Sequence, residues 1–150
     1  MTIEIERKYL LSGLPDFPRV LETLEIDQGY LPGVERLRHQ RSRGGEERFF
    51  STVKTGTGVQ RLEIEKEIDR ATFERMWPDT LGRRVRKRRY IVPNGADEWE
   101  IDEFLDRPLV LAELELEEPD SPVEIPDWLR PTLIREVTDE RAYTNRSLAR

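Results

Sequence analysis

From Gln60 to Asp69 the chain shows its clearest alternation: Arg61, Glu63, Glu65, Glu67 and Asp69 share one side, Leu62, Ile64 and Ile68 the other. Successive side chains of an extended strand point to opposite faces, so this run is a strand with one charged and one apolar face. The pattern recurs along the chain. Thr2–Leu10 sets Glu4, Glu6 and Lys8 against Ile3 and Ile5, and Val34–Arg41 sets Arg36, Arg38 and Gln40 against Leu37. Val85–Val92 carries Lys87 and Arg89 on one face, and Trp99–Phe104 opposes Glu100 and Asp102 to Trp99 and Ile101. Leu109–Glu117 opposes Glu113, Glu115 and Glu117 to Leu114 and Leu116. Shorter strands are expected at Gln28–Leu31, Arg48–Lys54 and Glu136–Tyr143.

Turn residues separate these runs: Pro32-Gly33, Gly44-Gly45, Thr55 to Gly58 and Pro93-Asn94-Gly95. Helices are expected at Phe17–Glu25, at Ala71–Trp77, where Pro78 ends the run, and near Asp127–Arg135. Closely spaced strands with a few helices predict a mainly β (α+β) fold, an antiparallel sheet or barrel of about eight strands. At 150 residues one domain spanning 1–150 is expected. The alternation alone leaves open which face points inward. An ordinary small barrel fills its lumen with the apolar faces. The inverted arrangement lines a hydrated tunnel with the charged faces and packs the apolar ones outward.

The signs of the charges favour the inverted form. Acids pair on four strands (Glu4/Glu6, Glu63/Glu65, Glu100/Asp102, Glu113/Glu115), whereas Arg36/Arg38, Lys54 and Lys87/Arg89 occupy the equivalent face of others. Lys8 and Arg61 sit on acidic strands. Adjacent acids repel unless a cation lies between them. A polyanion held by the bases and a divalent metal held by the acids accounts for both sets.

Composition excludes several other chemistries. No cysteine is present and His39 is the single histidine, which removes disulfides, thiolate nucleophiles and multi-histidine zinc motifs. Lys and Arg number 25 against 31 Asp and Glu, a net charge of −6 that argues against nucleic-acid binding. The basic run Arg83 to Arg89 splits between two strand faces, and Trp77, Trp99 and Trp128 read as core. There is no long apolar run and no signal-peptide pattern, so a soluble cytoplasmic protein without a membrane partner is expected. More apolar outward surface than two helices cover hints at a homodimer.

Glu4-Ile5-Glu6-Arg7-Lys8 resembles the Glu-x-Glu-x-Lys signature of the CYTH, or triphosphate tunnel metalloenzyme, superfamily. Arg36-Leu37-Arg38, Thr52-Val53-Lys54, Arg61 to Glu65, Lys87-Arg88-Arg89, Glu100-Ile101-Asp102 and Glu113-Leu114-Glu115 follow in the family's order. Glu136-Val137-Thr138 through Tyr143-Thr144-Asn145 is similar to the closing segment of its short bacterial single-domain members. His39 stands where another basic residue is expected, at a position outside the tunnel.

The resemblance implies a closed eight-stranded antiparallel tunnel with a polar interior, helices packed outside it, and a small-molecule triphosphate as substrate. It implies metal-assisted attack of water on a terminal phosphoryl group, with inorganic tripolyphosphate the leading substrate. Adenylate cyclisation, thiamine triphosphate hydrolysis and non-catalytic binding of polyphosphate or nucleotide are alternatives. Lys8, Arg36, Arg38, Lys54, Arg61, Lys87 and Arg89 are the expected phosphate ligands. Glu4, Glu6, Glu63, Glu65, Glu100, Asp102, Glu113 and Glu115 are expected to hold Mg²⁺ or Mn²⁺, which carboxylates without His or Cys suit. Lys8, Tyr30 and Lys87 are the expected catalytic groups, Tyr30 as a base assisted by Lys87. Gly56-Thr57-Gly58 lacks the Lys-Ser/Thr ending of a phosphate-binding glycine loop, so side chains must replace a backbone cradle.

Overall fold

The computed structural model describes residues 2–56 and 59–149, so part of the turn expected at Thr55 to Gly58 lies outside the described residues. Its strands are β1 (Thr2–Leu11), β2 (Glu22–Tyr30), β3 (Glu35–Ser42), β4 (Glu47–Thr55) and β5 (Gln60–Ile68), followed by β6 (Arg84–Asn94), β7 (Asp97–Phe104), β8 (Val110–Glu115) and β9 (Leu133–Glu136). They form one antiparallel sheet in the order β5-β4-β3-β2-β6-β7-β8-β1-β9, and β5 also pairs with β1. That pairing closes an eight-stranded barrel through Thr2↔Glu63, Ile3↔Leu62, Glu4↔Arg61 and Ile5↔Gln60. Farther along β1 the same edge takes β9 instead, at Tyr9↔Glu136 and Leu10↔Arg135.

The barrel is inverted. Leu62 and Ile64 on β5 are 36% and 48% exposed, whereas the alternate charged positions Arg61 and Glu63 are partly enclosed. Elsewhere the outward apolar face is covered. Trp99, Ile101 and Leu114 on the outside of β7 and β8 are fully buried with Tyr9, Leu11, Val92 and Leu129. Phe17, Val123, Ile125 and Trp128 from irregular connections complete that cluster. Burying a large side chain of this kind stabilises the fold by roughly 1.5–3 kcal/mol. A second outer cluster joins Leu37 and Phe49 to Phe73, Met76 and Trp77.

Helix α1 (Arg70–Met76) forms where expected and supplies Phe73; Asp69 caps it by accepting from Thr72 N at 2.7 Å. A 3-10 turn, Trp77–Thr80, follows at Pro78 and lies against Gly29. A Cβ there would meet Thr80 at 2.7 Å and Trp77 at 2.8 Å.

Two expected helices are absent. Residues 12–21 are irregular and Glu22–Tyr30 is a full strand, since Pro15 and Pro18 withdraw donors and Leu24, Ile26 and Gln28 alternate into the lumen. Around Asp127–Arg135 there is only a 3-10 turn, Arg130–Thr132, and then β9. Pro126 and Pro131 break that run. The strand expected at Glu136–Tyr143 therefore ends at Glu136. A 3-10 turn, Arg141–Tyr143, and helix α2 (Asn145–Leu148) come after it. This closing segment packs against the barrel end: Val137 and Ala149 are buried with Tyr30, Val85, Phe104 and Leu111.

Candidate active site

Register places the charged residues in facing pairs. Across the lumen wall Lys54 meets Glu63, Thr52 meets Glu65, Arg36 meets Thr52, and Gln28 meets Arg38. Arg89 meets Asp102, Glu100 meets Glu113, Lys8 meets Glu113, and Glu6 meets Glu115. They enclose a cavity of about 1010 Å³ lined by Lys8, Arg36, Arg38, Lys54, Arg61 and Arg89 and by Glu4, Glu6, Glu63, Glu65, Glu100, Glu113 and Glu115. Tyr30 also lines it. Of the expected site residues, only Lys87 and Asp102 are not on the cavity surface; both are fully buried beneath it.

The basic wall is short of partners. Arg38 donates to Gln28 Oε1 at 3.0 Å and has no carboxylate against it among the described residues. Burial, with Arg36 and Arg89 nearby, pulls its pKa down to about 10. Arg36 approaches Glu65 only at 3.8 Å, while Thr52 already donates to that carboxylate at 2.9 Å. The buried Nε atoms of Arg36 and Arg61 and the buried Gln28 Nε2 have no hydrogen-bond acceptor among the described residues. Buried donors left unmade are costly, so this wall is built to receive an anion with several oxygens.

The acidic wall has the opposite deficit. Glu4 and Glu63 face each other, with Lys54 Nζ at 2.9 Å from one and 3.4 Å from the other. The hydrogen bond to Glu4, together with burial, pushes Glu63 up to about 7. Burial opposes ionisation of Glu4, but Glu63 and Lys54 outweigh it and hold Glu4 below the usual range. Glu6 is pushed well up by burial and by its neighbours Glu113 and Glu4. Glu115, though exposed, is also moved up, by partial desolvation and by the charge of Glu4. Like charges meet directly at Glu6↔Glu115 and at Glu100↔Glu113.

A divalent cation fits this donor set. All the donors are carboxylate oxygens, and the buried Glu4 Oε2 has only the Lys54 ammonium against it, at 2.9 Å. No three carboxylates among the described residues converge into a ready-made cage. That suits an ion such as Mg²⁺, which keeps waters and takes one or two protein carboxylates plus phosphate oxygens.

Asp102 differs from the sequence expectation of a metal ligand. Arg89 grips both its oxygens, at 2.8 and 2.9 Å, and Lys87 Nζ lies 2.8 Å from Oδ2. Burial alone would raise Asp102, yet the two cations hold it well below the usual carboxylate range. Three contacts to two cations occupy both its oxygens, so it anchors the basic groups. Burial lowers Lys87 to about 8 against the pull of Asp102. Lys8 is held at 3.4 Å from Glu113, whose charge, with Glu6 and Asp102, overcomes burial and raises it.

The cation against Tyr30 is Arg146, 4.8 Å above the ring, whereas Lys87 Nζ is turned to Asp102 and Asn145. Sequence reading missed the closing segment as a site wall: Thr138, Asp139, Arg141, Asn145, Arg146 and Ser147 all line the cavity. No alternation marks this stretch, and the basic residues Arg141 and Arg146 are its one legible signal. His39 lies outside the barrel, as expected, stacked on Phe49 at 4.5 Å. Arg84, Arg86 and Arg88 also face outward, where they meet Trp77, Asp27 and Glu25.

No family model matches the chain. The chain is 38% identical to an inorganic triphosphatase of Nitrosomonas europaea, over 97% of its own length and 96% of that protein's. It is 32% identical to an inorganic triphosphatase of Acetivibrio thermocellus, over 98% and 93%. The crystal structure of the inorganic triphosphatase NE1496 superposes with a TM-score of 0.67 at 34% identity, covering 99% of this chain and 95% of that one. A Pyrococcus horikoshii protein, PH1819, shares the fold at a TM-score of 0.59 and 19% identity, covering 78% and 80%. Relatives matched at these identities from end to end place an inverted, charge-lined barrel in a known group: the chain belongs to the inorganic triphosphatase family.

Proposed function

We propose that this protein hydrolyses inorganic triphosphate with the help of a divalent cation, as a short single-domain member of the CYTH, or triphosphate tunnel metalloenzyme, superfamily. The observation that carries the reading is the pairing of deficits in one cavity. Arg36 and Arg61 each bury an Nε without an acceptor and Arg38 has only Gln28, while Glu4, Glu6 and Glu63 crowd together with Lys54 as the one ammonium between Glu4 and Glu63. A linear triphosphate with a bound Mg²⁺ or Mn²⁺ meets both needs.

In this reading Arg36, Arg38, Arg61, Lys54 and Arg89 bind phosphate oxygens, and Lys8 and Lys87 add point charges where negative charge develops. Glu4, Glu6 and Glu63 would hold the cation, with Glu65, Glu100, Glu113 and Glu115 available to it directly or through water. When bound, the cation neutralises phosphate charge and favours attack by water. Phosphoryl transfer passes through a loose transition state, so the residues mainly position groups and stabilise charge. Tyr30 lines the cavity with its ring under Arg146, and in this reading its hydroxyl group would take the proton of the attacking water. Asp102 keeps Lys87 and Arg89 in place.

The substrate is the partner proposed here, without nucleic acid or membrane; no helix among the described residues is long and apolar enough to cross a bilayer. The exposed strip Ile3, Leu62 and Ile64 supports a homodimer, and a cytoplasmic location goes with this reading.

The test is incubation of purified protein with tripolyphosphate, ATP and thiamine triphosphate, each with Mg²⁺, Mn²⁺ or EDTA, while phosphate, pyrophosphate and cyclic AMP are measured. Phosphate release from tripolyphosphate, abolished by EDTA, is expected. Tight binding without turnover under every metal condition would overturn the enzyme reading, and cyclic AMP with pyrophosphate would replace hydrolase by cyclase.

A further inference from the structure

Two arginines and two neutral partners make up the centre of the basic wall. Arg36 and Arg38 reach the cavity from β3. Register sets Gln28 of β2 against Arg38 on one side and Thr52 of β4 against Arg36 on the other. Neither neighbour is a carboxylate. Arg89, a lumen arginine two strands away on β6, is held differently. Asp102 accepts from it at 2.8 and 2.9 Å, Glu100 accepts at 3.1 Å, and Glu113 stands at 3.8 Å.

Gln28 is fully buried and off the cavity surface, so it acts on a ligand through Arg38. Its Oε1 accepts from Arg38 Nε at 3.0 Å. That bond fixes which way the amide is turned, because a guanidinium N–H needs an oxygen. Gln28 Nε2 is thereby left buried without an acceptor among the described residues. A glutamate would serve stability better on both counts: it would meet the buried guanidinium with a full charge and leave no donor orphaned. For stability alone the neutral amide is the poorer choice, and departures of that kind belong to functional sites. What the amide preserves is the uncompensated charge of Arg38. Thr52 does the same from the other side. Its hydroxyl group donates at 2.9 Å to Glu65 Oε2, the very oxygen that lies 3.8 Å from Arg36 Nη2, and so holds that carboxylate back.

We propose that Gln28 and Thr52 are positioning residues of the active site, neutral partners that hold Arg36 and Arg38 in place while keeping carboxylates off them, so that the wall keeps its charge for a polyanion. The proposal rests on the reading of Arg36 and Arg38 as phosphate ligands given above. A carboxylate at position 28 would compete with phosphate for Arg38 while stabilising the empty protein. The competition weakens bound substrate and transition state alike, so it raises KM and spares kcat. A glutamine that merely held the guanidinium would be replaceable by glutamate without loss.

The experiment is steady-state kinetics with tripolyphosphate and Mg²⁺ on the wild type, Q28E, T52V, T52S and R38A, with the melting temperature of each in EDTA. A hydrogen bond to a charged group sets the scale: Q28E is expected to raise KM about tenfold with kcat within about twofold. It should melt at or above the wild type. T52V, which releases Glu65 to Arg36, should raise KM in the same direction, and T52S, which keeps the hydroxyl group, should restore it. If R38A raises KM while Q28E and T52V keep the wild-type value, the inference fails and the reading of the arginines stands. If R38A itself keeps the wild-type KM, the underlying reading fails. A raised KM in Q28E that comes with a lowered melting temperature and a lowered kcat would show structural damage and overturn the proposal.

Discussion

Replacing Asp102 by Asn tests whether this carboxylate is an internal anchor or a metal ligand. The side chain is fully buried and receives two hydrogen bonds from Arg89, at 2.8 and 2.9 Å, and an ion pair from Lys87 at 2.8 Å. Asn keeps the shape and one acceptor oxygen but removes the negative charge between two buried cations. Breaking a buried pair from one side costs about 3–5 kcal/mol, because the remaining charge is stranded. A domain of this size loses roughly 2–4 °C of melting temperature per kcal/mol, so the metal-free variant should melt on the order of 10 °C lower. Thermal unfolding in EDTA reads this directly, and the double variant D102N/K87M should recover part of the loss by removing one stranded cation. The reasoning is refuted if D102N melts with the wild type in EDTA yet needs far more Mg²⁺ for activity, since that is the behaviour of a cavity-facing ligand.

Three other outcomes follow from the same geometry. Glu63 is raised to about 7 from an ordinary 4.5, so the folded state binds more protons than the unfolded one between those values. Its contribution is complete below about 4.5 and is lost as pH rises through about 7; the metal-free melting temperature should fall across that window, and Mg²⁺ should reverse the fall by replacing the proton between Glu4 and Glu63. A melting temperature that climbs with pH in EDTA would contradict the acid pair. R38A should raise KM for tripolyphosphate about tenfold or more, the loss expected for a charge-assisted bond in steady-state kinetics, because this guanidinium has only Gln28 as a partner. G29A should lower stability to chemical denaturation by about 1–3 kcal/mol, since its methyl would overlap Thr80 and Trp77, and an unchanged midpoint would mean that the 3-10 turn can move away.

Strand existence was largely readable in the chain because a charged face alternating with an apolar one permits little else. Thr2–Leu11, Glu35–Ser42, Gln60–Ile68 and Asp97–Phe104 lie close to where the alternation puts them. It failed at residues 22–27, where Leu24 and Ile26 face the lumen and mixed polarity hides the period, so that only the end of this strand was expected, at Gln28–Leu31. It failed again at Asp127–Arg135, where apolar residues at helical spacing are instead held by Pro126 and Pro131 in an irregular cover over Trp99. The cavity residues were legible as a set, since sorted acids and bases have few other uses. The closing segment was not, because its role depends on reaching across about 130 positions to Lys8.

What the amino-acid order determined alone was the pairing of faces: which side chains of each strand share a side, and which strands bring acids or bases. It left two choices equal, charges inward or outward, since a barrel of either kind satisfies the same alternation. Tertiary structure decided this by giving Trp99, Ile101 and Leu114 an outer cover and leaving the charged faces no solvent but the cavity. It also separated Asp102 from the other acids. In sequence Asp102 is one half of a Glu-x-Asp pair, but register sets it directly opposite Arg89 and within reach of Lys87. At that depth a carboxylate between two cations is more stable as their anchor than as a ligand for a third.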